Sequence, residues 1–269
     1  MYQVENLTPY DLEVLPQAFM FGALWNGKHV RMLNPEPDLI RKFLRHIKSE
    51  GYELASFNGS GYDDIVLTEY LESGDPMVAY ETSKAIIVDR VKPWAFRRDI
   101  WSVDLMQILP HRRGLKVLGC IMGYPHLQEM PIDFDAVPSA EDIEAEWIYN
   151  GHDLQITQLL KGKLQSELDL RAMMSDRYGV DLRSKGEAAM AEAVLLREAG
   201  FKKADMKAAA QAKLAKHPTF RVKPPNWWDT FCNSYGDLSA NARKVIQAGE
   251  RIFHTDIRIY EHGVSGEDI

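Results

Sequence analysis

Cysteine is nearly absent: 269 residues hold only Cys120 and Cys232. The two lie far apart, match no metal-ligand spacing and are too few for a disulfide scaffold, so free thiols in a reducing compartment are expected. Long apolar runs are missing too. No segment approaches the roughly 20 apolar residues that span a bilayer, and Met1-Tyr-Gln-Val-Glu-Asn6 lacks the basic-then-apolar pattern of a secretory leader. A cytoplasmic protein with no membrane partner is expected. Surplus positive charge is lacking as well, with 32 Lys and Arg against 39 Asp and Glu, a net charge of −7 and a pI near 5.7. That balance excludes a chain that coats nucleic acid along its whole length. The average conceals an asymmetry, because residues 161–225 hold 14 Lys and Arg against 8 Asp and Glu, which is +6 and leaves −13 elsewhere. Such a basic segment suits either a phosphate-bearing partner or solvated helix faces.

What is present fits a soluble enzyme: 45% of residues are hydrophobic and 26% charged, enough for one large domain or two small ones. Residues 11–15, 18–25 and 29–33 read as strands, with Asn26-Gly27 as a tight hairpin turn between the second and third. Residues 38–50 space Leu39, Ile40, Phe43, Leu44 and Ile47 as a helix does, and Gly51 closes it. A strand over 53–57, a helix over 63–71 and a strand over 100–105 continue an α/β alternation. Ser139-Ala-Glu-Asp142 opens a long helix through Tyr149 and Asp153 toward Leu160. The alanine-rich stretch 186–216 predicts further helix, and 253–260 alternates like a strand that pairs with the main sheet or with a partner. No internal repeat or low-complexity linker is evident.

The chemistry lies in the order of four carboxylates: Asp11 and Glu13, then Asp63, then Asp153. Asp11 and Glu13, two apart on a strand, project from one side and can reach one hard cation, while Asp153 adds a ligand from a helix. Several acids from separate elements are what a two-metal phosphodiester hydrolase needs to stabilise attacking and leaving oxygens together. Tyr149 stands four residues before Asp153 on the same helix face, placed to orient water through its hydroxyl. Singly these signals are weak: Asp63 also reads as a helix cap, and Asn58-Gly-Ser-Gly61 as an ordinary turn. Their joint order points to a nuclease.

Asp11-x-Glu13, Asn58-x-x-x-Tyr62-Asp63 and Tyr149-x-x-x-Asp153 together resemble the three motifs of the DEDDy 3′-to-5′ exonucleases, the proofreading domains of phage and other family B DNA polymerases. The resemblance spans about residues 8–165. It implies a ribonuclease H-like α/β fold, a mixed sheet flanked by helices, over residues 1–165, followed by a mainly helical extension over 166–269. It further implies two Mg²⁺ or Mn²⁺ ions, with Asp11, Glu13 and Asp153 on one, Asp11 bridging to the second and Asp63 acting from the second motif. Tyr149 matches the tyrosine that gives the subfamily its letter. Leu15, Phe57, Asn58 and Tyr62 are the implied strand-binding residues, with core packing the alternative for Leu15 and Phe57. The implied substrate is a single-stranded or frayed DNA 3′ end, the implied partner a DNA polymerase domain or subunit, and the compartment the host cytoplasm if the chain is phage-encoded.

Two features depart from the family. Val14 stands where a threonine is frequent, and Ser234-Tyr-Gly-Asp237 carries one aspartate where the polymerase motif has two. Residues 171–200 are similar to the helical region that joins exonuclease to polymerase in phage enzymes, so the chain reads as a polymerase fragment or a split subunit. A free-standing RNA or oligonucleotide exonuclease and a catalytically silent primer-end module are the alternatives, and the intact acids argue against the second.

Overall fold

The computed structural model describes residues 6–200 and the backbone of Thr219–Arg221 and Asp256–Arg258. A mixed five-stranded sheet has the order β3-β2-β1-β4-β5, with β1 Leu7–Leu15, β2 Ala18–Trp25, β3 Lys28–Leu33, β4 Glu53–Ser56 and β5 Val103–Asp104. The first three strands are antiparallel and β4 and β5 join in parallel. Asn26 and Gly27 both take positive φ, 49° and 71°, which turns β2 into β3 with the twist that flanking strands need. Helices α1 Pro37–Ser49, α2 Asp63–Ser73 and α3 Pro76–Ile87 belong to one side of the molecule, and α5 Ala140–Lys163 to the other; α4 is Leu115–Ile121.

The two faces of β1 explain this layering. Tyr10, Leu12 and Val14 pack with Phe19, Phe21, Ile40, Val66 and Tyr70 in one core under α1 to α3. Leu7, with Ala55, Val103 and Leu160, belongs to a second core beneath α5. Alternation along the strand therefore sends Leu7, Asp11 and Glu13 to the α5 side.

Several elements differ from expectation. Strand β1 begins at Leu7 rather than at 11, running through Pro9, which a sequence pattern reads as a break. The strand expected over 100–105 shrinks to Val103–Asp104, because the backbone before it is held by side chains: Asp99 and Ile100 donate to Thr68 Oγ1 at 3.0 and 3.2 Å. Helices α3 and α4 were not anticipated. Helices α6 Gln165–Tyr178 and α7 Glu187–Glu198, assigned from sequence to the extension, belong to a compact unit that ends at Glu198, with Leu168 and Ala172 in the second core. A second unit runs from Ala199. There, of the strand expected over 253–260, Asp256–Arg258 is found, antiparallel to Thr219–Arg221 in a separate two-stranded sheet rather than on the main sheet. Cys232, the prolines and tryptophans of 218–228, Ser234–Asp237 and the remainder of the alanine-rich stretch lie outside the described residues. Among the described residues, no helix is long and apolar enough to cross a membrane.

Candidate active site

The long helix α5 is fixed at its start by a capping box, Ser139 and Asp142 each bonding the other's backbone N–H. Its inner face passes over β1, and the approach is close because the residue opposite Asp11 is Gly22. A Cβ on Gly22 would lie 1.9 Å from Asn150 Oδ1. Asn150 fills that space and donates from Nδ2 to Asp11 Oδ2 at 3.0 Å and to Glu13 Oε1 at 3.4 Å, while its Oδ1 meets His29 Nε2 at 2.9 Å. One amide thus ties the two acids of β1 to α5.

Asp63 comes from the other side of the cleft. The chain leaves β4 through Asn58, whose φ of 68° starts a tight turn, and the turn is pinned from below by buried Asp104, which accepts from Asn58 N at 2.9 Å and Ser60 N at 3.2 Å. That turn delivers Asp63 to the first turn of α2. The N-cap is Tyr62, with no side-chain cap bond, and Asp63 Oδ1 is buried without a hydrogen-bond partner. The capping alternative for Asp63 is therefore not the arrangement adopted.

Asp11, Glu13, Asp63, Tyr149 and Asp153 line one cleft of about 410 Å³. Its electrostatics are those of too many like charges in too little water. Burial, then Asp153, pushes the Asp11 carboxyl up to about 7. Burial and the neighbouring Asp11 raise both Glu13 and Asp63, and burial raises Asp153 against the opposing pull of Lys116. Burial, then Asp153, holds the Tyr149 phenol far above its ordinary value, so it stays protonated at neutral pH. The Lys116 ammonium contacts Asp153 and sits 3.9 Å above the Tyr149 ring.

This set fits hard divalent cations in its chemistry. All donors are carboxylate oxygens, the acids are destabilised by mutual repulsion, and one buried oxygen is unpaired. The acids are gathered rather than closed round a point: among the described residues no three His, Cys, Asp or Glu groups stand ready to hold an ion.

Of the expected strand-binding residues, Phe57, Asn58 and Tyr62 line the cleft, with the Tyr62 hydroxyl 2.7 Å from Ser83 Oγ. Leu15 does not: one pleat beyond Glu13, it is fully buried. Val14 faces the opposite core and so has no part in the cleft. Sequence reading missed Asn150, Lys116 and Glu146. Glu146 is buried on α5, raised by burial to about 7, and adds to the repulsion on Glu13. The signal for it was spacing, since 146, 149, 150 and 153 share one helix face. The chain matches no protein-family model, no curated protein and no solved structure.

Proposed function

We propose that the chain is a metal-dependent 3′-to-5′ exonuclease of DEDDy type on a ribonuclease H-like fold, removing 3′-terminal nucleotides from single-stranded or frayed DNA and proofreading beside a DNA polymerase. One observation carries the reading: Asp11 and Glu13 from β1, Asp63 from α2 and Asp153 from α5 converge with Tyr149 on one cleft, and Asp63 leaves a buried oxygen unpaired. Asp11, Glu13 and Asp153 would hold one Mg²⁺ or Mn²⁺, and Asp11 with Asp63 the second. Bound there, two such ions stabilise the attacking and leaving oxygens of a phosphodiester.

The chain's own residues supply the rest. Asn150 keeps the Asp11 and Glu13 carboxyls turned toward α5. Tyr149, protonated at neutral pH, positions a water through its hydroxyl and takes no proton from it. Lys116, over the Tyr149 ring and in contact with Asp153, brings an ammonium to the acids, and Arg90 adds a guanidinium to the lining of the same cleft. Phe57 and Tyr62 give the terminal base flat faces to stack on.

Digestion of 5′-labelled single-stranded DNA, beside matched RNA and a mismatched primer-template, with Mg²⁺, with Mn²⁺ and with EDTA, tests this. The expected result is a metal-dependent ladder that shortens from the DNA 3′ end. Folded protein that shortens none of the three in either metal would rule the activity out.

A further inference from the structure

We infer that a second cavity of about 750 Å³, behind the Asn58–Tyr62 turn, is a stacking site for the nucleotides of a single DNA strand that lie upstream of the 3′ end. The direction of the strand rests on the exonuclease reading; the site itself does not.

Trp94 and Trp101 line this cavity and are 82% and 69% exposed. Indole is the largest apolar side chain, and two left bare beside one cavity mark a recognition surface. Between them in sequence stands Arg98, its guanidinium 3.9 Å from the Trp101 ring centroid, with Lys185 on the same lining. Trp94, and the part of Trp101 that Arg98 leaves uncovered, offer bases a stacking surface beside cations, the chemistry of sequence-blind single-strand binding, on a lining that also holds Glu53, Asp64 and Asp181. A duplex offers no such faces, because its bases are stacked on one another.

Position supplies the second argument. The turn between β4 and α2 is the wall shared by the cavity and the acid cleft: Asn58 and Tyr62 line the cleft, and Ser60 lines the cavity. Asp63 and Asp64 divide in the same way. Arg98 ties the platform to that wall, donating from Nη1 to the Ser60 carbonyl at 3.1 Å. A strand whose terminal base enters the cleft beside Tyr62 therefore reaches the indoles by crossing one turn of chain.

The test uses the full chain and end-labelled oligothymidylates three and twelve nucleotides long. Binding is read in EDTA by anisotropy and by quenching of tryptophan emission. Wild type is expected to bind the twelve-mer about tenfold or more tighter than the three-mer. The double variant Trp94→Ala/Trp101→Ala should erase that advantage, and Trp94→Phe/Trp101→Phe should restore part of it. Both positions are exposed, and unchanged thermal melting confirms the fold. Equal affinity for the two lengths in wild type, or a length advantage that survives in the alanine variant, overturns the site. Digestion in Mg²⁺ and in Mn²⁺ keeps the two readings apart. Tryptophan-dependent binding without digestion supports the site and removes the exonuclease, whereas digestion with a tryptophan-independent length advantage removes the site and keeps the exonuclease.

Discussion

Asp63 and Asp64 are adjacent in sequence and both buried, yet they live in opposite circumstances. Asp64 accepts from Tyr10 Oη at 2.6 Å, from Ser102 Oγ at 2.7 Å and from Ser102 N at 3.3 Å. Asp63 keeps one oxygen with no partner and faces Asp11 across the cleft. A buried carboxylate that is fully bonded holds a fold together, and one left short of partners is kept for something that arrives later. Two positions along one helix turn thus separate structure from chemistry.

Substitutions can break that contrast. The largest effect is expected from Asp11→Ala, which should cut cleavage by roughly a thousandfold or more, since the lost group serves both ions; far-UV CD and melting should show an intact fold, and undiminished cleavage would sink the assignment. Asn150→Ala should weaken metal affinity by about 10- to 100-fold, as loss of a ligand-orienting group does. A Mg²⁺ titration of activity measures it, and an unchanged midpoint would deny Asn150 its clamping role. Tyr149→Phe removes the hydroxyl that bonds Asp153 and that is proposed to position water, and should slow cleavage about tenfold while moving the Mg²⁺ midpoint far less than loss of Asp153 does. If the midpoint moved as much as in Asp153→Ala, Tyr149 would be a metal-site residue instead.

The smallest effects, those on stability, sharpen the comparison most. Asp64→Ala strands the Tyr10 and Ser102 hydroxyls and should cost about 1–3 kcal/mol in EDTA and in Mg²⁺ alike, whereas Asp63→Asn should raise the melting temperature in EDTA while abolishing cleavage. Opposite signs are the expected outcome; the same sign for both would erase the distinction drawn above. The pH dependence has a definite direction. Asp11 titrates at 3.8 unperturbed and about 7 folded, so between those values the folded chain keeps a proton that the unfolded chain has lost. Stability should therefore fall as pH rises from about 4 to about 7 in EDTA, with Glu13 and Asp63, both raised, acting in the same sense. Mg²⁺ should lift the melting temperature more at pH 8 than at pH 5, and an equal lift at both would show that these acids are not the ion's ligands.

Much of the sheet was legible because its signals are local. Asn26-Gly27 fixes a hairpin within two residues, and Gly51, at φ 82°, ends α1 where the periodicity stops. Helix α3 also carried a local signal, an Asp75 cap followed by Pro76 at the first helical position, which went unread. The strand read over 100–105 is present, but its shortening to Val103–Asp104 was not legible, because the residues before it exchange ladder bonds for bonds to Thr68 and Asp64, more than thirty residues away. The same division holds in the cleft. The acids and the tyrosine are recognisable by type, and they sit on the strand and helices read around them. Asn150 does not, since an asparagine becomes a clamp only once a particular helix face meets Gly22. Leu15 failed for a related reason: the strand's alternation is readable, but the depth at which it becomes covered is not.

The bond from Asn150 to Asp11 joins residues 139 apart in sequence. On a ribosome adding roughly 5–20 residues per second, the acid pair exists for about 7–30 s before the helix that completes its surroundings has been made. During that interval Asp11 and Glu13 lack Asp153 and Asn150, so under the proposed two-metal site nascent chains spread along a messenger would stay silent however much metal surrounds them. On the exonuclease reading, completion of the cleft waits on the late docking of one helix, a delay set by where the acids fall along the chain.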